Sequence, residues 1–136
     1  NGQFGAAWTL AYAATVASAG LEVLTLSTLA GPFGLVAGEG EATAAGDLRP
    51  LAFVLARLGA LAGEAVVAVE TSRPDAVLGL ATRDRLLLAN ITPEAQNVSL
   101  PENPRRVSLI GAESADLPKA DGKLTLPPYG CVDVVR

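Results

Sequence analysis

LARLGALAGEAVVAVETSRPDAVLGLATRDRLLLAN (55–90) changes its period part-way along, and that change decides the fold. Up to Gly63 the apolar residues keep helical spacing. Leu51, Val54, Leu55, Leu58 and Leu61 form one stripe, Asp47 is the expected N-cap, Pro50 suits the first turn and Gly63 ends the helix. From Glu64 the period becomes two, in Glu-Ala-Val-Val-Ala-Val-Glu-Thr, until Ser72-Arg73-Pro74-Asp75 breaks it. Val77 to Thr82 and Arg85 to Asn90 then flank Arg83-Asp84, which reads as a β-hairpin. Further strands are expected at Asn97–Leu100, Arg106–Ile110, Lys123–Leu126 and Gly130–Val135, divided by Pro, Asn and Gly. Such spacing predicts a small antiparallel β-sandwich over residues 64–136, with Glu64 to Thr71 as its first strand.

Upstream, Phe4 to Ala19 is a run of good helix formers that Gly20 stops. Leu21 to Leu29 follows as Leu-Glu-Val-Leu-Thr-Leu-Ser-Thr-Leu, the nearly continuous apolar pattern of a parallel strand covered on both faces. Gly31, Pro32 and Gly34 punctuate a loop, and residues 38–47 read as an exposed one. Helix, strand, loop, helix is part of a repeating βα pattern. Two helices and one parallel strand cannot cover one another, so residues 1–63 are expected to depend on further chain or on a partner molecule. A start at Asn1 with no methionine in the chain points the same way, to a piece of a longer protein.

Composition excludes several functions. There is no histidine and one cysteine, Cys131, so neither an internal disulfide nor a zinc site nor a Ser/His or Cys/His catalytic arrangement is expected, and no cofactor is called for. Net charge is −4 with two lysines, which leaves no basic face for a nucleic acid. The uncharged stretch 1–21 is interrupted by Asn1, Gln3, Thr9, Thr15 and Ser18 and reads as a buried helix, so neither a membrane nor secretion is expected, and the location is cytoplasmic. Charge is sparse before residue 73, with two basic and six acidic side chains, and balanced after it, with eight of each.

Several residues invite a sharper reading. Glu22 on the strand start reads as a structural ion pair, and Glu39 and Glu41 as part of a solvated loop. Trp8 and Tyr12, four apart on one helix face, read as core, Tyr129 as a packed ring after Pro127-Pro128, and Cys131 as a small buried side chain. Asn90-Ile91-Thr92 and Asn97-Val98-Ser99 match a glycosylation sequon, but Asn90 fits a strand end with its turn better.

GQFGAAWTLAYAATVASAGLEVLTLSTLAGPFGLV (2–36), LRPLAFVLARLGALAGEAVVAVETS (48–72), LLLANITPEAQNVSLP (86–101) and LPPYGCVDV (126–134) together resemble the C-terminal part of the D-apionate lactonase family. The resemblance implies an α/β piece, the last βα units of a (β/α)8 barrel of TIM type over 1–63, and a β-sandwich accessory domain over 64–136. It further implies hydrolysis of a sugar-acid lactone, a small carbohydrate-derived substrate. In the related clan of barrel hydrolases the acidic catalytic pair ends the fourth and seventh strands, which would place both members upstream of Asn1 and leave this segment non-catalytic, its sandwich bracing the barrel. Barrel enzymes carry their chemistry at the C-terminal strand ends. That rule marks Asn1, Gln3, Ser27 and Thr28 as substrate-binding candidates, with Phe33 as an apolar wall under a sugar ring. A glycoside hydrolase, or a stand-alone β-sandwich module that binds carbohydrate, stays open as an alternative.

Overall fold

A computed structural model describes residues 2–67, 69–100, 104–118 and 122–136. Helix α1 spans Gln3–Val16, tightens into a 3-10 turn at Ala17–Ala19 and stops at Gly20, whose φ of +70° a Cβ would disfavour. Helix α2 spans Pro50–Gly59 and is preceded by Arg49, not by the expected Asp47 cap. The reason is local: a residue before proline is pushed out of the helical region, and Arg49 has ψ of 157°, so the helix can begin only at Pro50.

Six strands follow: β1 (Val77–Ala81), β2 (Arg85–Asn90), β3 (Gln96–Ser99), β4 (Arg106–Leu109), β5 (Lys123–Leu126) and β6 (Cys131–Val135). They form a sheet of order β1-β2-β6-β4 and a second sheet of β3 and β5, with every pairing antiparallel. The predicted hairpin is present. Val77 faces Asn90 and Ala81 faces Leu86, and Arg83-Asp84 makes the turn without positive φ at either residue. Alternation sorts the larger sheet into two faces. Leu80, Leu87, Ala89 and Cys131 point to the helices, while Val77, Ala81, Leu86, Leu88, Val132 and Val134 point to the smaller sheet. The result is three layers, with the four-stranded sheet in the middle. Gly79 belongs to the second face by necessity, since a Cβ there would lie 2.8 Å from Leu88 Cδ2 and 3.1 Å from Val69 Cγ1.

Alanine is what brings α1 onto the sheet. Ala6, Ala7, Leu10, Ala11 and Ala13 are buried, and all but Ala13 join one core with Val54, Leu61, Leu80, Leu87, Ala89, Ile110 and Cys131. Complete burial of Leu10 or Leu87 contributes about 2 kcal/mol each. Tyr129 packs edge-to-face on Phe4 at 5.3 Å, so its ring is held as expected, and Cys131 is buried.

Four further expectations fail. Leu21–Leu29 forms no strand: its one bridge is Thr28 to Gly34, and Val23 and Leu29 are 81% and 74% exposed. A parallel strand exists only beside a neighbour, and no described segment lies alongside it. Glu64–Thr71, of which Ala68 lies outside the described residues, contributes one bridge, Val67 to Ala81, with Val67 N–H donating at 2.8 Å. Trp8, at 52% exposure, and Tyr12 stack on each other at 5.3 Å on the outer face of α1. The helix is apolar all round, and the small alanine face wins the sheet because it permits closer approach. Glu22 is exposed and, among the described residues, makes no ion pair.

Candidate functional site

The chain after the expected strand, residues 27–49, folds back on itself. Leu35 N–H donates to Thr28 and Leu29 carbonyls, Ala37 N–H to Asp47 and Gly46 N–H to Ala37, and Val36 bridges Leu48. Gly34 is required at the tightest point, because a Cβ would fall 2.5 Å from Ala30 C.

Arg49 closes the loop. It is 2% exposed, its backbone N–H donates to Leu35 O at 2.8 Å, and its Nη1 donates to the carbonyls of Gly31, at 3.1 Å, and Gly34. The rest of the guanidinium forks onto Glu41, Nε to Oε2 at 2.7 Å and Nη2 to Oε1 at 2.5 Å. Hydrogen bonds from Arg49 and then from the Gly38 N–H, 3.0 Å away, hold the Glu41 carboxyl down at about 2, and the same pair raises Arg49. Glu41 is therefore not a solvated loop carboxylate. Sequence reading missed the pair because its partners lie eight residues apart in a stretch without regular structure.

The proposed binding residues fall around this loop in different ways. Asn1 lies outside the described residues, and Gln3 is exposed in the first turn of α1. Ser27 Oγ donates to Phe33 O at 2.6 Å and to Thr28 O at 3.1 Å, and Thr28 Oγ1 donates to Ala30 O at 2.9 Å, so both protons serve the turn. Phe33 is 78% exposed and, with Phe4, Trp8, Leu26 and Arg49, lines an open cleft of 210 Å³ between the loop and α1. The cleft is aromatic on two sides, with Phe33 on the loop and Phe4 and Trp8 on α1. Among the described residues no group of three or more His, Cys, Asp or Glu gathers to hold a metal, and no helix is long and apolar enough to cross a membrane.

A second polar centre sits where the helices meet the sheet. Asp133 of β6 is buried on the helix-facing side, accepts Arg85 Nη1 at 2.7 Å and lies 3.6 Å from Arg57 Nε of α2. It joins the helical layer to the sandwich through one carboxylate oxygen.

Residues 1–63 match the D-apionate lactonase TIM barrel domain, and residues 74–134 match the D-apionate lactonase C-terminal immunoglobulin-like domain. The D-apionate lactonase of Brucella anthropi is 50% identical over all 136 residues. The chain belongs to the D-apionate lactonase family. Its two halves are thus an end of a TIM barrel and an immunoglobulin-like β-sandwich, as the resemblance implied. The chain spans 19% of the length of that Brucella lactonase. In fold it is similar to a glycoside hydrolase family 30 subfamily 8 xylanase from Clostridium acetobutylicum, with a TM-score of 0.60 and 12% identity over 99% of this chain and 39% of the xylanase.

Proposed function

We propose that this chain is the closing part of a sugar-acid lactone hydrolase, in which residues 1–63 complete a (β/α)8 barrel and residues 64–136 brace it. The observation that carries the reading is the 50% identity to D-apionate lactonase along the whole chain. A TIM barrel takes about 250 residues, and 1–63 supply two helices, so the remaining βα units come from chain beyond these residues. The apolar surface left on Phe4, Trp8, Tyr12, Leu21, Val23 and Leu29 supports this, because an exposed face of that kind needs a cover. The catalytic pair belongs to that further chain, and this segment is non-catalytic alone. Its contribution at the barrel mouth is the set Asn1, Gln3, Ser27, Thr28 and Phe33. The enzyme works in the cytoplasm on a small carbohydrate-derived substrate, without cofactor, nucleic acid or membrane.

Bracing is the role that fits the sandwich. Tyr129 is its one aromatic residue and is already packed on Phe4, which leaves no aromatic row to stack sugars. The test is to assay the full-length protein on aldonolactones and on aryl glycosides. Lactone opening well above the uncatalysed rate is expected; opening at background, with glycoside cleavage, would assign the glycosidase reading instead.

A further inference from the structure

We infer that Arg49 is a positioning residue for the substrate wall of the lactonase, fixing the 31–34 turn so that Phe33 stands forward at the barrel mouth. The inference rests on the proposed function and adds to it a residue that touches no substrate itself. Three carbonyls of one short turn, those of Gly31, Gly34 and Leu35, are all held by Arg49, two by its guanidinium and one by its backbone N–H. Phe33 lies between the two glycines that the guanidinium grips, and Ser27 Oγ holds the Phe33 carbonyl from the other side at 2.6 Å. The backbone of the wall is thus fixed while its ring is free.

Arginine is the one side chain suited to this work. Its planar fork meets the Glu41 carboxylate on two nitrogens while Nη1 still reaches the turn, whereas a lysine ammonium is a single point and cannot serve both. Because Glu41 stays ionised down to about 2, the clamp persists across the pH range in which an enzyme would be assayed. A wall ordered in advance lowers the cost of binding, so its loss is read in KM before kcat.

The experiment uses the full-length protein carrying Arg49→Lys, Phe33→Ala and both together. Arg49→Lys is expected to raise KM for an aldonolactone about tenfold with kcat within about twofold. In the Phe33→Ala background the same change should add nothing, since Arg49 acts through that ring. An unchanged KM, a fall in kcat alone, or additive effects would overturn the inference. A second arm needs no substrate: hydrogen exchange of the Gly34, Leu35 and Ala37 amides should accelerate at least about tenfold in Arg49→Lys. Unchanged exchange overturns the clamp whatever the enzyme acts on, while failure of the wild type to open lactones with exchange accelerated refutes the functional reading alone. If Arg49→Lys does not yield folded protein, Glu41→Gln loosens the same fork and is read by the same two criteria.

Discussion

Asn90 offers the sharpest quantitative test of the sandwich. It is fully buried at the end of β2, and its side chain makes four hydrogen bonds. Nδ2 donates to Glu94 O at 2.7 Å and to Pro127 O at 2.9 Å, while Oδ1 accepts from Thr92 N–H at 3.0 Å and from Thr92 Oγ1 at 2.7 Å. Those bonds tie the turn after β2 to the turn before β6. Each neutral bond is worth about 1 kcal/mol net, and Glu94 and Thr92 lie near enough to solvent to regain part of theirs from water. Asn90→Ala should therefore cost about 2–3 kcal/mol, read as a lower urea midpoint of the 136-residue chain at unchanged slope. Asn90→Asp should cost more at pH 7, because it aims an anionic oxygen at two carbonyls. Burial and those carbonyls raise the folded pKa of the introduced carboxyl above its unfolded value, so that variant must gain stability as pH falls from 7 towards 4. A loss below about 1 kcal/mol for Asn90→Ala, or an aspartate variant indifferent to pH, would refute the network. The same geometry predicts that Asn90 accepts no glycan, although Asn90-Ile91-Thr92 matches the sequon.

At the junction of helices and sheet, Arg85→Met should destabilise by about 3 kcal/mol because Asp133 keeps only a distant cation, whereas Arg57→Met, at 3.6 Å and partly exposed, should cost under about 1 kcal/mol; equal losses in a urea titration would contradict the unequal roles. Gly79→Ala meets Leu88 and Val69 and is expected to lose about 1–3 kcal/mol by thermal unfolding, while no loss would mean the sheet face has room. Burial pushes the Cys131 thiol up to about 12, so the folded chain should resist a thiol reagent at pH 8 and react once urea unfolds it; fast reaction when folded would contradict its burial. Glu41 is depressed from 4.5 to about 2, so its contribution to the loop is full above pH 4.5 and is lost as pH falls from there towards 2; the protection of the Ala37 amide, taken relative to its intrinsic exchange rate at each pH, should fall within that window and hold constant above it.

How legible the fold was depended on how local its causes are. The β1–β2 hairpin and strands β3 to β6 stand within a residue of the sequence reading, because alternation and turn residues act over a few positions, while α1 passes into a 3-10 turn after Val16 and α2 ends at Gly59, short of Gly63. Leu21–Leu29 has an equally clear pattern, yet apolar runs specify a strand only when a ladder receives them, and the ladder is not among these residues. Trp8 and Tyr12 failed for a related reason: a helix apolar all round does not say which face is taken, and α1 gives its alanines to the sheet. Of the loop, the Gly31 to Gly34 turn was legible from its punctuation. The clamp was not, since nothing in Glu41 or Arg49 as residue types predicts that a loop will bury an arginine.

On the proposed reading, residues 1–63 are the end of a barrel that folds only against other parts of the protein. The measurement that tests it most directly is the thermal unfolding of a 1–63 peptide, followed by circular dichroism at a dilution that keeps it monomeric. The account predicts a gradual, non-cooperative loss of helix, since Ala6, Leu10 and Val54 share their core with Leu80, Leu87 and Cys131 beyond residue 63. A sharp cooperative transition of the monomeric peptide would contradict it.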